Sequence, residues 1–336
     1  MIPYSYQKIV TNVAIPSCVY DSVSNSVWAV TAGASGSWIR IRATDGAYLN
    51  AGGVVTNLAG ATFSAGTSFA GASGIAGRKL YVGSQSTLVR RFSADTGAFE
   101  YEYPTPYYPT SGWNAVTVNG VCWFCVAVNG GSVADGIQGF DAAGNTSFWS
   151  GGGSGASPTY LATDGTFIYF VSTSSGPRTV WKIDPADGTV TSAVVMSASY
   201  SASQIVSVSC DGTHLWLGTG IDAYIWKVRC SDLAPIDTNG NVCTAASNGN
   251  RFALRSAPVI ATTAYASVHD GNAIWIAPGS LEFQFSIVDR LTGYNDAHIW
   301  IPGVTSSSSK NPILVNSYVW FPIDNVGDIW RVSLLP

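Results

Sequence analysis

Three histidines, His214, His269 and His298, are the whole imidazole supply of this 336-residue chain. General acid–base work needs a histidine within reach of a carboxylate and a reacting group. His214 and His269 fall near the first turns of two successive repeats, and His298 falls on an outer strand. Their spacing brings them to no common carboxylate or nucleophile, so packing and surface roles are expected and no catalytic residue is assigned. Four carboxylates, Asp135, Asp222, Glu282 and Asp324, stand in loops expected on one face; an acid pair or a metal would have to draw on them. Cys122 and Cys125 have the Cys-x-x-Cys spacing of zinc and redox motifs. In a strand, positions i and i+3 point to opposite faces, and no second Cys/His pair follows at ligand spacing. Buried small apolar residues are expected there instead. Cys230 and Cys243 flank one loop and could pair under oxidising conditions.

Asp237, Asn239 and Asn241 alternate in "DTNGN", as oxygen ligands do in a calcium loop. The glycine and distal Glu of such a loop are out of register, and a solvated turn is expected. "SGGGSG" from Ser150 lacks the strand and lysine of a phosphate-binding loop. The segment "YEYPTPYYPTSGW" holds Tyr101, Tyr103, Tyr107, Tyr108 and Trp113 among prolines. Aromatics with a polar tip suit wet interfaces and stacking on sugars; the competing reading is a rigid link packed over the fold. No metal and no cofactor are expected.

These residues are positioned by a repeat. Seven aromatic strands, "SVWAV", "KLYVG", "VCWFC", "FIYFV", "HLWLG", "AIWIA" and "YVWFP", carry Trp28, Tyr81, Trp123, Tyr169, Trp216, Trp275 and Trp320 at matching places. Each is preceded by a short strand and followed by a second repeat element such as "VWKID", "IWKVR" or "IWRVS", then by an Asp/Gly turn. Asp-Gly and Asn-Gly pairs tolerate positive φ and mark hairpins. A more irregular strand completes each copy. Four antiparallel strands every 40–50 residues or so define a β-propeller blade. The expected fold is therefore all-β, a seven-bladed β-propeller of four-stranded antiparallel blades spanning residues 1–336 as one domain. The last copy stops on its third strand, "DIWRVSLLP", and the orphan strand "YSYQKIVTNV" at the start is expected to complete that blade and pair its bare edge.

Composition bounds the function. Charged residues are 11%, the formal net charge is -4, and no Lys/Arg cluster exists to neutralise phosphates. No nucleic-acid partner is expected. No apolar run of about 18 residues is present, so no membrane partner is expected either. The opening residues lack a charged segment followed by an apolar one, so synthesis without export is expected.

The repeat, as in "DGTHLWLGTGIDAYIWKV" and "DGTFIYFVSTSSGPRTVWKIDPADGTV", resembles the seven-bladed propellers of the YVTN-repeat and streptogramin-lyase-like group. The resemblance lies in fold-forming positions. The lyases of that group use a metal with His and Glu side chains on one face, and no matching constellation stands in this sequence. A non-enzymatic structural and binding protein is therefore expected. The expectation is a bacteriophage virion component, a tail hub or nozzle or a capsid-surface protein, contacting other virion proteins in a symmetric assembly. A host-surface glycan is a second expected partner class. The alternatives are a lyase or hydrolase acting at a central channel, a glycan-binding module, and a cytoplasmic rather than virion location.

Overall fold

Apolar residues alternating with a period of two make strands, and Asp-Gly or Asn-Gly pairs end them. The computed structural model of the chain describes residues 5–31, 36–64, 69–84, 88–104, 114–126, 136–150, 158–172, 178–196, 205–219, 224–244, 251–253, 264–278, 282–289, 295–305, 312–323 and 327–334. Strand β1 (Tyr6–Val10) comes first. The first sheet follows, with β2 (Ser17–Asp21), β3 (Ser26–Val30), β4 (Ser37–Arg42) and β5 (Thr62–Ser64). The second holds β6 (Phe69–Ala76), β7 (Lys79–Ser84), β8 (Leu88–Ser93) and β9 (Phe99–Pro104). The third holds β10 (Ala115–Val118), β11 (Val121–Val126), β12 (Gly136–Asp141) and β13 (Thr146–Ser150). The fourth holds β14 (Pro158–Thr163), β15 (Ile168–Ser172), β16 (Arg178–Ile183) and β17 (Val190–Met196). The fifth holds β18 (Ile205–Cys210), β19 (His214–Thr219), β20 (Tyr224–Arg229) and β21 (Arg251–Ala253). The sixth holds β22 (Ala264–His269), β23 (Ala273–Pro278), β24 (Glu282–Asp289) and β25 (Asn295–Thr305). The seventh holds β26 (Ile313–Val315), β27 (Tyr318–Ile323), β28 (Asp328–Ser333) and, at its outer edge, β1. The seven copies read from the sequence are thus seven four-stranded antiparallel sheets. Among the described residues there is no α-helix. The chain divides into two compact units, the first built from sheets one, two, three and seven, the second from sheets four, five and six.

The N-terminal strand completes the last sheet, as expected. Tyr6 pairs with Val332 and Val10 with Asp328, antiparallel through five residues. Ile9 is 3% exposed and joins a core with Val27, Ile39 and Ile41 of the first sheet and Trp320 and Ile329 of the seventh. Lys8 Nζ lies 2.8 Å from Asp328 Oδ2.

Second-strand aromatics lean on the following sheet within each unit. Trp28 packs with Leu80, Val82 and Phe92; Tyr81 with Cys122, Phe124 and Phe140; Trp216 with Ile274, Ile276 and Val288. Five of the seven meet a cation in register on the third strand. The pairs are Trp28 with Arg40, Tyr81 with Arg91, Tyr169 with Lys182, Trp216 with Lys227 and Trp320 with Arg331. The charge sits over the ring at 5.2 Å for Arg40, 5.0 Å for Lys227 and 5.7 Å for Arg331, within cation–π range.

Four of these cations, Arg40, Arg91, Lys182 and Arg331, then reach the third turn of the next sheet. Arg40 donates to the Asp95 carbonyl at 3.0 Å, Lys182 to those of Cys230 and Ser231 at 3.1 and 3.2 Å, and Arg331 to that of Ala43 at 3.3 Å. Arg91 donates to the Ala142 carbonyl, and the Tyr81 hydroxyl to that of Asp141. This is why the chain repeats "VWKI"-like strands. The tryptophan fills one face, as Trp181 does by stacking on Phe170 at 4.9 Å. The cation ties one sheet to its successor.

Two copies lack the cation. In the sixth sheet Trp275 faces Ile287. In the third, a Cβ added at Gly139 would lie 2.8 Å from the Trp123 ring and 2.7 Å from Val121. Trp123 occupies the space a side chain would need. Gly139→Ala is expected to destabilise the protein by about 1–3 kcal/mol through overpacking, read as a lower urea midpoint.

Candidate functional site

Turn chemistry differs between sheets, and it decides which polar groups remain for a site. In sheets four, five and six the first turn has four residues and begins with Asp. Asp164 Oδ1 accepts from the backbone N–H of Thr166 and Phe167, Asp211 Oδ1 from Thr213 and His214, and Asp270 Oδ1 from Asn272 and Ala273. The other oxygen accepts from the aromatic residue: from the Tyr169 hydroxyl at 2.6 Å, the Trp216 indole at 3.0 Å and the Trp275 indole at 2.7 Å. The third and seventh sheets use two-residue turns instead, with Asn119 (φ 52) and Gly120 (φ 77) in the left-handed region in the former and Asn316 (φ 54) in the latter. No carboxylate stands there. The buried indole N–H groups of Trp123 and Trp320 have no hydrogen-bond partner among the described residues.

A cleft of about 450 Å³ opens between the fourth and fifth sheets on this turn side, lined by Asp164, Phe167, Lys182, His214, Arg229 and Cys230 among others. Its groups are already engaged. Lys182 Nζ lies 3.9 Å from the centre of the Phe167 ring and donates to two carbonyls. Arg229 pairs with Asp232, whose carboxyl it holds at about 2. His214 Nδ1 lies 3.0 Å from Thr213 Oγ1 and 3.9 Å from Asp211 Oδ2. Burial, and then its bond to Asp164, pushes the Tyr169 phenol up, so it stays protonated. Contact with the Cys210 thiol, and then burial, pushes Cys230 up as well. Both the Tyr169 phenol and the Cys230 thiol are thereby held towards their protonated forms.

A second cleft, of about 740 Å³, lies in the first unit where the link after β1 passes the β3–β4 end of the first sheet. Thr11, Asn12, Thr31, Ser37 and Thr62 line it with hydroxyls and an amide, and among the described residues no charged side chain contributes. These groups can offer hydrogen bonds. It lies on the side of the loop joining the second and third strands.

No protein-family model matches the chain, and no curated protein matches it. Among solved structures, a catalytically inactive variant of virginiamycin B lyase from Staphylococcus aureus with quinupristin superposes with a TM-score of 0.69. It is 16% identical, and the match covers 99% of this chain and 100% of that one. A streptogramin B lyase structure gives 0.64 at 13% identity, covering 98% and 97%. The fold is a seven-bladed β-propeller. At these identities the likeness concerns the fold alone.

Within this propeller the expected site residues have the following places. Tyr101 is exposed on the outer strand of the second blade, its ring 4.7 Å from that of Tyr103. Tyr103 is buried, 5.3 Å from Phe140 and 6.3 Å from Tyr81, so its ring serves packing between the second and third blades. Tyr107, Tyr108 and Trp113 lie outside the described residues, as do Asp135, Asp222 and Asp324. Glu282 opens β24, its backbone opposite Thr305, and its side chain lies outside what is described. His214, His269 and His298 stand on three strands, β19, β22 and β25. Among the described residues no group of three His, Cys, Asp or Glu side chains gathers where it could hold a metal. Asp237 Oδ1 accepts from the Asn239 and Asn241 N–H groups, which makes "DTNGN" a self-bonded turn. Cys122 and Cys125 are both buried, and burial pushes both thiols up. The sulfur beside Cys230 is that of Cys210, at 3.4 Å. Cys243, the partner that the sequence suggests, does not take that place; Cys210 does, because the first turn after it accepts the Cys230 N–H at the Thr213 carbonyl and so draws the end of strand three towards the end of strand one.

Proposed function

We propose that this chain is a non-enzymatic structural and binding propeller, a component of a bacteriophage virion at the tail hub, tail nozzle or capsid surface, working in a symmetric assembly. The observation that supports protein–protein contact is where large apolar side chains meet solvent. Tyr6 and Val10 on β1, Phe99 and Tyr101 on β9, and Val190 and Val194 on β17 are each 38–53% exposed. These six, of the eleven such side chains exposed among the described residues, sit on outermost strands, which also carry the unpaired backbone edge that a neighbouring chain can use; the other five are valines in turns and links. Low charge and a Ser/Thr/Gly-rich surface suit a protein that packs among copies of others. The repeated carboxylates, by contrast, are committed to turns and indoles and take no part in a reaction.

Purified particles from the source, analysed by mass spectrometry and chemical cross-linking, are expected to contain the chain in fixed stoichiometry, with cross-links falling near the outer strands. Particles lacking it would overturn the reading. The enzyme alternative predicts turnover that is lost on replacing Glu282, and the glycan alternative predicts binding that is lost with Tyr101→Ala.

A further inference from the structure

We infer that Cys210 and Cys230 form a reversible disulfide within the fifth blade, made by exchange with a low-molecular-weight disulfide such as oxidised glutathione. Their sulfurs lie 3.4 Å apart, in contact but unbonded. Cys210 ends the first strand of the blade and Cys230 directly follows the third, so no neighbouring ladder bond joins the two positions. The backbone holds both in place. Cys230 N–H donates to the Thr213 carbonyl at 2.8 Å, and the Cys230 carbonyl accepts from Lys182 and, at 3.3 Å, from Tyr169. A shift of a little over 1 Å brings the sulfurs to bonding distance, roughly 2.05 Å. Cys122 and Cys125 lie on opposite faces of one strand, and the Cys243 N–H donates to the Pro235 carbonyl.

Access is provided by the cleft between the fourth and fifth blades, which Cys230 lines. Lys182 and Arg229 line the same wall beside Asp164, and Arg229 is paired there with Asp232. In the first step one cysteine thiolate attacks a glutathione sulfur. The glutathione S–S bond breaks, and one glutathione leaves and takes up the proton. The second cysteine then attacks the mixed disulfide and releases the second glutathione. Two electrons pass from the protein sulfurs to the oxidant, and both protons end on the two glutathione thiols. Because Cys230 is held protonated, the exchange is expected to accelerate as pH rises. A chain made in a reducing compartment and released into an oxidising one would carry the thiols first and the bond afterwards.

The test uses the reduced full-length chain in glutathione buffers of increasing oxidised-to-reduced ratio. The samples are acid-quenched, alkylated in denaturant, digested and examined by mass spectrometry. The expected result is a peptide pair linked through Cys210 and Cys230 that becomes the majority species, with the other four cysteines alkylated. Cys243→Ser should leave this species intact. Cys210→Ser should abolish it and leave Cys230 glutathionylated. A link between Cys230 and Cys243, or six alkylated cysteines in the most oxidising buffer, would overturn the inference. Both readings come from the wild-type chain, so they do not depend on the variants folding.

Discussion

Asp211→Ala is expected to lower the stability of the fifth blade by about 3 kcal/mol, read from urea unfolding and from amide exchange in β19. The carboxylate's side chain is fully buried and holds three groups together. It accepts from two backbone N–H groups and the Thr213 hydroxyl through Oδ1, and from the Trp216 indole through Oδ2. Alanine leaves the indole N–H buried without an acceptor and undoes the turn. Burial alone would raise the Asp211 carboxyl, but the bonds from Trp216, Thr213 and His214 outweigh it and hold the carboxyl below its ordinary value. A depressed carboxyl contributes fully above its unfolded pKa, about 3.9, and the contribution is lost as pH falls through the lower folded value. Asp211→Asn should therefore flatten the acid limb of the stability profile. The decisive measurement is a double-mutant cycle with Trp216→Phe, where a coupling of at least about 1 kcal/mol is expected. Additive effects would show that the indole bond contributes nothing.

Removing β1, so that the chain starts at Asn12, should have the larger effect. The seventh blade would lose its outer strand with five paired residues, and β28 would become a bare edge. Ile9 would leave a core in which it is almost fully buried; Ile9→Ala by itself is expected to cost about 3 kcal/mol. The Tyr48 hydroxyl would lose its acceptor, the Val10 carbonyl, and Lys8 would no longer neutralise the buried Asp328 carboxylate. The truncated protein should show exchange of β28 amides at rates near those of exposed segments, with aggregation on concentration. Unchanged protection across Asp328–Ser333 would mean that the blade is closed by something other than this strand.

Much of this was legible because it rests on local patterning. Seven aromatic strands, Asp/Gly turns and an orphan opening strand are written in period-two apolar alternation and turn residues, and each copy repeats the message. The partnership of Arg40, Lys182 and Arg331 with turns of the next blade was not legible, because a lone Lys or Arg in a strand reads as a solvated residue. Its partners are backbone carbonyls, and carbonyls have no sequence signature. Tyr103 shows the same limit from the other direction. Within "YEYP" it reads like Tyr101, and only the pleat decides that one faces water and the other the core. The Cys210 contact escaped for a different reason: it depends on how two ends of a blade meet at a turn, twenty residues apart in the chain.

The third-strand cations have an engineering corollary. In the first, second, fourth and seventh blades the third-strand cation donates to a turn carbonyl of the next blade, so these joints are directional: the module with the cation supplies a plug and its successor the socket. A transplanted blade would have to match the host at both ends. The copy carrying Gly139 has no such plug of its own.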